Sequence, residues 1–246
     1  MSETSPRPQP LWKRLEHGHV KPLLRRLKPW REACFGGIAV SFKTHLDGGG
    51  SSFGQDFIPF LRARGMPRLG RVFDWCAGPG FIGFSLLGHG LCDSLCLADI
   101  NPEAVAACER TIARNRLGGR VAVHHSDNLD GIPSTERWDL VVSNPPHFDE
   151  ASGDLRSADG GWRIHRRFFA AVGRFLKPGG LVLLQENNAG STAEDFRPLV
   201  EEAGLSILFV SGGEPVRTGE FRMYFIGIMR AGDTPPTWVE AFTEET

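Results

Sequence analysis

The chain has 246 residues, 41% of them apolar, with 28 basic and 29 acidic side chains and a formal charge of −1. This balance fits one large globular domain with an appendage and argues against a generic nucleic-acid binder, whose electrostatic footprint is strongly basic. Five scattered cysteines (Cys34, Cys76, Cys92, Cys96 and Cys108) with no Cys-x-x-Cys pair argue against a disulfide frame, and no metal site is expected. No window approaches the roughly 18 consecutive apolar residues of a membrane helix, and the opening Met1–Pro6 lacks the apolar run of a secretory signal, so a cytoplasmic protein without a membrane partner is expected.

In chain order, residues 1–10 are rich in Pro and Ser and read as disordered, and Leu11 to Leu27 reads as a short basic helix interrupted around Gly18 and Pro22. Between Arg7 and Arg31 the cations Arg7, Lys13, Arg14, Lys21, Arg25, Arg26, Lys28 and Arg31 face only Glu16. That run is either a solvated face or a contact for RNA or another polyanion. Gly37 to Phe42 looks like a strand, Asp47 to Ser52 a turn, and Phe53 to Leu61 an apolar lead-in.

From Arg71 onward strands and helices alternate. Strands are expected up to Asp74 and Asp99, at Val121–His124, at Trp138–Val142 and at Leu181–Leu184. Helices are expected from Gly80, from Pro102 behind an Asn101 cap, from Trp162 to Leu176 ended by Lys177–Gly180, and after a capping box at Ser191–Glu194. Ser206–Val210 and Phe221–Ile228 are joined by Ser211–Glu220, which is too short for a crossover helix, so they should pair antiparallel. The expected fold class is α/β, a doubly wound, Rossmann-like seven-stranded sheet with an antiparallel C-terminal hairpin. Its parts are a basic N-terminal extension (1–35), a strand and lead-in helix (36–70), the main domain (71–231) and a loosely held tail (232–246).

Three strand ends carry chemistry. Gly78 and Gly80 in the turn Asp74-Trp75-Cys76-Ala77-Gly78-Pro79-Gly80 let backbone approach a ligand, but Cys76 stands where a dinucleotide fingerprint has its first glycine. The acidic Asp74 beside this turn suits a cationic amine better than a phosphate. Asp99, 25 residues on, can take ribose hydroxyls, and Ser126-Asp127 after the third strand can accept from an adenine amino group. Amine, ribose and adenine without phosphate describe S-adenosylmethionine, with Cys76, Ala77, Ile100, Asn128 and Asn144 as further candidate contacts. The competing reading makes the three aspartates strand-end caps.

After the fourth strand, Ser143-Asn144-Pro145-Pro146-His147-Phe148 is a stiff loop in which the prolines fix φ and remove donors, so the Pro145 carbonyl and the Asn144 amide oxygen face one point that wants an NH₂ donor. The ordered set of the glycine turn, Asp99 and Asn144-Pro145-Pro146 resembles the motifs of class I S-adenosylmethionine-dependent methyltransferases of the Asn-Pro-Pro-aromatic branch, over about residues 46 to 230. Leu46-Asp47-Gly48-Gly49-Gly50-Ser51 is similar to the approach segment of small-domain ribosomal RNA methyltransferases. Asp159-Gly160-Gly161-Trp162 through Lys177–Gly180 and Gln185-Glu186 are more similar to release-factor glutamine methyltransferases.

The resemblance implies an N-methyltransferase in which Asn144 and Pro145 hold the acceptor nitrogen, an amide or amino group of a protein, RNA or small molecule, with Pro146 stiffening the loop and His147 or Phe148 packing on the acceptor. His147 departs from the family, which has Tyr or Phe there; it opens an alternative, a small-metabolite O- or N-methyltransferase with His147 as base. A further alternative is a non-catalytic S-adenosylmethionine-binding adaptor for RNA or protein. Arg156, Arg163, His165, Arg166 and Arg167 are either a solvated helix face or an anion-recognising rim.

Overall fold

The computed structural model describes residues 29–150, 157–211 and 222–240. The expected disordered start, the basic helix and the Arg7 to Lys28 part of the cationic run lie outside the described residues, as does Arg156.

The chain enters as a hairpin, β1 (Arg31–Phe35) and β2 (Ile38–Phe42), turning at Gly36 and Gly37 with φ of 53° and 88°. Glycines at both turn positions are what a tight two-residue hairpin requires. A Cβ on Gly36 would also lie 2.3 Å from the Gly88 carbonyl carbon, so the turn is pressed against the domain. Sequence reading finds only β2 of this pair, because Arg31-Glu32-Ala33-Cys34-Phe35 is largely exposed and carries no clear apolar alternation.

After the short helix α1 (Phe57–Ala63) comes the alternation expected: β3 (Leu69–Trp75), α2 (Phe81–Gly88), β4 (Cys92–Asp99), α3 (Pro102–Arg114), β5 (Val121–His125), β6 (Trp138–Ser143), α4 (Arg163–Val172), β7 (Leu176–Asn187), α5 (Ala193–Glu202), β8 (Leu205–Val210), β9 (Met223–Arg230) and α6 (Thr237–Glu240). Seven strands form one sheet in the order β5-β4-β3-β6-β7-β9-β8. The first five run parallel, and β9 inserts antiparallel between β7 and β8. The chain leaves β3 toward β4 and β5, then returns to β6 on the other side, which makes the carboxyl ends of β3 and β6 the switch point where such sheets bind ligands.

Alternation along each strand feeds two apolar layers. Val72, Leu95, Leu97, Leu140, Val142, Leu181 and Leu183 face α1, α2 and the hairpin. Phe73, Trp75, Val141, Val182 and Leu184 face α4 and α5, with Trp75 stacked on Phe168 at 3.8 Å and Phe73 on Trp138 at 4.0 Å. Helix α2 is buried around its first seven residues, so it is a core element lying over the glycine turn it follows. On β2, the Asn115 side chain receives the Ala39 amide at 3.0 Å and donates to its carbonyl at 2.9 Å, which occupies backbone groups the strand would otherwise leave unpaired.

Three expectations are corrected. The helix from Trp162 ends at Val172 and Leu176 already belongs to β7; Lys177–Gly180 is an irregular stretch inside that strand, where the register slips between Trp138↔Leu176 and Leu140↔Leu181. Helix α5 is capped one residue later than expected: the Thr192 amide donates to Asp195 at 2.8 Å, because the Ser191 hydroxyl is buried and donates to Glu186. Finally, 232–240 is no loose tail, since Pro235-Pro236 leads into α6 and buries Trp238 and Val239 against the core. Asp233 ties this segment to Arg230 at 2.9 Å and to the Gly179 amide at 3.1 Å.

Trp238 is 9% exposed. Trp238→Ala should therefore lower the unfolding free energy by about 3 kcal/mol in a denaturant titration, as for a buried aromatic truncated to alanine. An unchanged midpoint would return 232–240 to the status of a loose tail.

Candidate active site

Beyond β3 the backbone coils tightly, with Cys76, Gly78 and Gly80 all left-handed at φ of 53°, 54° and 80°. Cys76 pays a conformational penalty there that the two glycines avoid. Gly80 opens α2, and the Gly83 amide in its first turn donates to Asp74 Oδ2 at 2.8 Å. Only a glycine fits at 83, because a Cβ would sit 2.9 Å from Leu95 and 3.0 Å from Asp74 Oδ2. Asp74 is 1% exposed, and its second oxygen, Oδ1, is buried with no hydrogen-bond partner among the described residues. Burial pushes its carboxyl well above the usual range, against the pull of the Gly83 amide, and the nearby Asp99 charge adds to the rise.

Asp99, at the end of β4, braces the same turn: Oδ2 accepts from the Gly78 amide at 2.7 Å and Oδ1 from the Asn101 amide at 2.8 Å. Burial raises its carboxyl despite those two amides. Each oxygen still has a lone pair for a hydroxyl donor. Next to it Ile100 is 53% exposed, an apolar face offered at a polar strand end. Beyond β5, Ser126 shapes the loop by accepting from the Gly131 amide and donating to the Asn128 carbonyl, both at 2.9 Å. Asp127 stands at the surface with its carboxylate on Arg167 at 3.0 Å. Asn128 is buried, donates to the Ile164 carbonyl at 2.8 Å, and keeps its Oδ1 without a partner among the described residues.

The Asn-Pro-Pro loop leaves β6 beside this turn, and the Ser143 hydroxyl donates to the Trp75 carbonyl at 2.5 Å, joining the two strand ends at the switch point. The orientation of Asn144 is set by a chain of bonds. A backbone carbonyl can only accept, so the Gln185 amide nitrogen must be the group on the Phe53 carbonyl at 2.8 Å; its oxygen then receives Asn144 Nδ2 at 3.0 Å. Asn144 Oδ1 is left as an acceptor facing elsewhere. The same logic fixes His147. Asn187 Oδ1 takes the Ala189 amide at 2.9 Å, which turns Nδ2 toward His147 Nε2 at 3.4 Å and leaves His147 Nδ1 to donate to the Pro145 carbonyl, also at 3.4 Å. His147 and Phe148 have their rings 4.6 Å apart, and their amides both donate to the Ser157 carbonyl. Gly190 closes on them so tightly that a Cβ would lie 2.2 Å from the His147 oxygen.

A family model of the methyltransferase small domain matches residues 46–202. The chain belongs to that family. It is similar to the release factor glutamine methyltransferase of Bordetella pertussis, 32% identical over 162 residues that cover 60% of this chain and 57% of that one. It is also similar to the ribosomal RNA small subunit methyltransferase C of Alcanivorax borkumensis, 33% identical over 127 residues covering 52% and 35%. Among solved structures, a 16S rRNA N2 methyltransferase of T. thermophilus in complex with AdoMet and guanosine shares the fold, with a TM-score of 0.57 and 18% identity over 82% of this chain and 50% of that one. The chain spans about half the length of the curated relatives it matches.

In this methyltransferase small domain the turn at Asp47–Ser51 borders the site: a Cβ on Gly78 would stand 3.6 Å from the Leu46 carbonyl, and Gln55 holds the Gly50 carbonyl at 3.1 Å while receiving Ser85 at 2.8 Å. The described arginines expected at a rim are each engaged: Arg163 with the Gly160 carbonyl, Arg166 with Glu202, and Arg167 with Asp127 and Asp130. His165 is not at the rim but buried in the core. Burial also pushes the Cys76 and Cys108 thiols well above their usual range, so the turn offers no thiolate. Cys96, His124 and Glu136 bring ligand-type atoms within 4.8 Å of one another, but Arg71 already holds both Glu136 oxygens at 2.7 and 2.6 Å and supplies the positive charge there. Sequence reading missed Gln185 and Asn187 as orienting residues; the run Gln185-Glu186-Asn187-Asn188 at the end of an apolar strand was the available signal.

The pH sign for Asp74 follows from its raised pKa. The unfolded chain ionises this carboxyl from about 3.8 upward while the folded protein resists, so the group is neutral to stability below that value and subtracts from it as pH rises. Asp74→Asn keeps an acceptor for Gly83 and removes the charge. It should melt higher than the parent at pH 7 in the absence of ligand, with the gap closing toward pH 4; a variant that melts lower at pH 7 would show that the carboxylate is already compensated.

Proposed function

We propose that the chain is an S-adenosylmethionine-dependent N-methyltransferase acting on an amide or amino nitrogen of a protein or RNA. The observation that carries this reading is the orientation of Asn144: Gln185, itself fixed by the Phe53 carbonyl, takes the amide nitrogen and turns the oxygen away as an acceptor. Together with the Pro145 carbonyl it can receive both hydrogens of an NH₂ group, which orients the nitrogen lone pair and leaves little for a general base to do. Holding the acceptor in register with a bound methyl donor accounts for a barrier reduction of up to about 7–11 kcal/mol.

The residues present fit the cofactor. Asp74 Oδ1, without a partner among the described residues, is an acceptor that an ammonium group would pair with and whose ionised form that group would favour, Asp99 keeps capacity for ribose hydroxyls, Ile100 offers an apolar face to a base, and Asp127 or Asn128 Oδ1 can accept from its amino group. Cys76, Ala77, Gly78 and Gly80 form the backbone wall. When bound, S-adenosylmethionine supplies a methyl group on a sulfonium cation. His147 and Phe148 then pack beside the acceptor. The alternative in which His147 is the base is disfavoured by its bonds, since Nε2 faces the Asn187 donor and Nδ1 carries its proton toward Pro145. The relatives' names support both acceptor classes, protein glutamine and ribosomal RNA. No described helix is long and apolar enough to cross a membrane.

Methyl transfer from labelled S-adenosylmethionine should be tried with a bacterial release factor, ribosomal protein uL3 and small-subunit ribosomal RNA as acceptors. Asn144→Ala should cut kcat on the competent acceptor by about 10²–10³-fold, the scale of losing one positioned transition-state hydrogen bond, with cofactor affinity within about threefold of the parent. Equal loss of cofactor binding would remove Asn144 from the acceptor role.

A further inference from the structure

Behind the acceptor loop lies a cluster that the proposed reaction does not use. The His165 side chain is fully buried, with Nδ1 2.8 Å from Asp159 Oδ2 and Nε2 3.3 Å from Glu186 Oε1, and both carboxylates are buried as well. A neutral imidazole has one donor and one acceptor, so it cannot serve two carboxylates; only the imidazolium donates from both nitrogens. The remaining capacity is filled: Asp159 also accepts the Ile164 and His165 amides at 2.8 and 3.0 Å, and Glu186 Oε2 accepts from Ser191, whose oxygen is 3.3 Å from the Tyr224 hydroxyl. The other elements packed on His165 present rings, Trp75, Trp162 and Phe196, the last stacked at 4.6 Å, and its own helix adds Phe169. Among the described residues, Asp159 and Glu186 are therefore the charges that face it.

We propose that His165 is a positioning residue for methyl transfer, an ionic clamp that fixes the distance between the wall at His147–Phe148 and the strand that orients Asn144. Asp159 belongs to the wall, since its amide donates to the Phe148 carbonyl at 2.8 Å and its neighbour Ala158 bridges Phe148. Glu186 follows Gln185 on β7, and strand alternation sends Gln185 toward Asn144 and Glu186 to the opposite face, where His165 waits. One cation thus ties together the two pieces of backbone that define the acceptor pocket. Without it two buried carboxylates would face each other unscreened, and the segment 157–162 with the wall attached would separate from β7.

Burial alone would pull His165 down, but its bonds to Asp159 and Glu186 outweigh that and hold it above its usual 6.5; Asp159 lies below its usual 3.8 because the bonds from His165 and two amides outweigh burial. The sign is the same for both. The clamp contributes fully between about 3.8 and 6.5, weakens as pH rises through the raised histidine value, and weakens as pH falls through the depressed aspartate value.

The proposal rests on the reading of Asn144 as the acceptor holder, so its test has an arm that needs no acceptor. In the full chain at about pH 6, inside that window, ¹⁵N spectra of the imidazoles should show both His165 nitrogens protonated; the shifts of a neutral tautomer would overturn the clamp. Glu186→Gln keeps shape and a bond to His165 while removing one charge. If it melts cooperatively, the Phe148 and Asp159 amides should exchange at least about tenfold faster than in the parent while those of Leu97 and Val141 do not change. Unchanged protection at Phe148 and Asp159 would overturn the proposal. His165→Gln serves as the second variant if Glu186→Gln does not fold, with the same two outcomes. Where the parent methylates one of the acceptors above, Glu186→Gln should lower kcat about tenfold with KM for S-adenosylmethionine within twofold, and its rate should fall at a lower pH than the parent's; a parallel rise in KM alone would assign Glu186 to cofactor binding and overturn the positioning role. Failure of the parent on every acceptor would count against the proposed function and leave the spectroscopic and exchange results to decide the clamp.

Discussion

The bond from the Gly83 amide to a buried Asp74 carboxylate organises the rest of the structure. It holds the first turn of α2 against the end of β3, and that contact requires glycine at 83 and a left-handed glycine at 80. With α2 so placed, the turn between them takes left-handed backbone at alternate residues, Cys76, Gly78 and Gly80, and Asp99 is drawn in to brace it through Gly78. The arrangement keeps one carboxylate oxygen buried and, among the described residues, unpaired, which is unfavourable in the ligand-free protein. A cationic ligand group at that oxygen would remove the cost, so the same feature that limits stability favours binding.

A second polar line, buried along β7 and its exit, lies behind the proposed acceptor side. Gln185, Glu186, Asn187 and Ser191 are all inaccessible, and each is paired: with Phe53 and Asn144, with His165, with Ala189 and His147, and with Glu186. Buried networks of this kind are tolerated only when every member is satisfied, because a single orphan costs as much as several good bonds contribute. The run therefore fixes one arrangement of the Asn-Pro-Pro loop. Gly190, pressed on the His147 carbonyl, leaves the loop no room to back away.

Much of this was legible in the sequence. Asp74, Asp99 and Asn144 stand at strand ends as their spacing implies, because a parallel sheet with short connections sends every carboxyl end to one edge. The doubly wound seven-stranded sheet and the antiparallel final hairpin followed from the same alternation and from one connection too short for a helix, whereas the order of the strands is a finding of the structure. What escaped was set by tertiary context. Leu176 continues the apolar stripe of α4 and so read as helix, yet it pairs with Trp138 as the first residue of β7. Ser191 has the spacing of a cap but is consumed by Glu186, and His165, written among arginines, faces inward because a helical stripe of Phe168, Phe169 and Val172 takes it into the core. Side-chain partners seventy or more residues apart, such as Asn115 on Ala39 or Gln185 on Phe53, leave no local signature at all.

The two buried devices on the proposed acceptor side would divide the work by the physics of their bonds. Amides fixed by backbone groups, as in Gln185 and Asn187, carry no net charge and tolerate no rotation, so they determine direction: which atom of Asn144 is held by Gln185 and which nitrogen of His147 carries the proton. Ionic bonds are less demanding of angle and act over longer range in a low-dielectric interior, so the Asp159-His165-Glu186 line is suited to set separation. Direction without separation would leave the acceptor nitrogen aimed but out of reach, and separation without direction would leave it near but misaligned. Because Gln185 and Glu186 are consecutive on one strand, a shift of β7 by a single residue would exchange their faces and destroy both controls together. The pairing of β7 with β6 and β9 on either side is therefore as much a part of the proposed site as Asn144 itself.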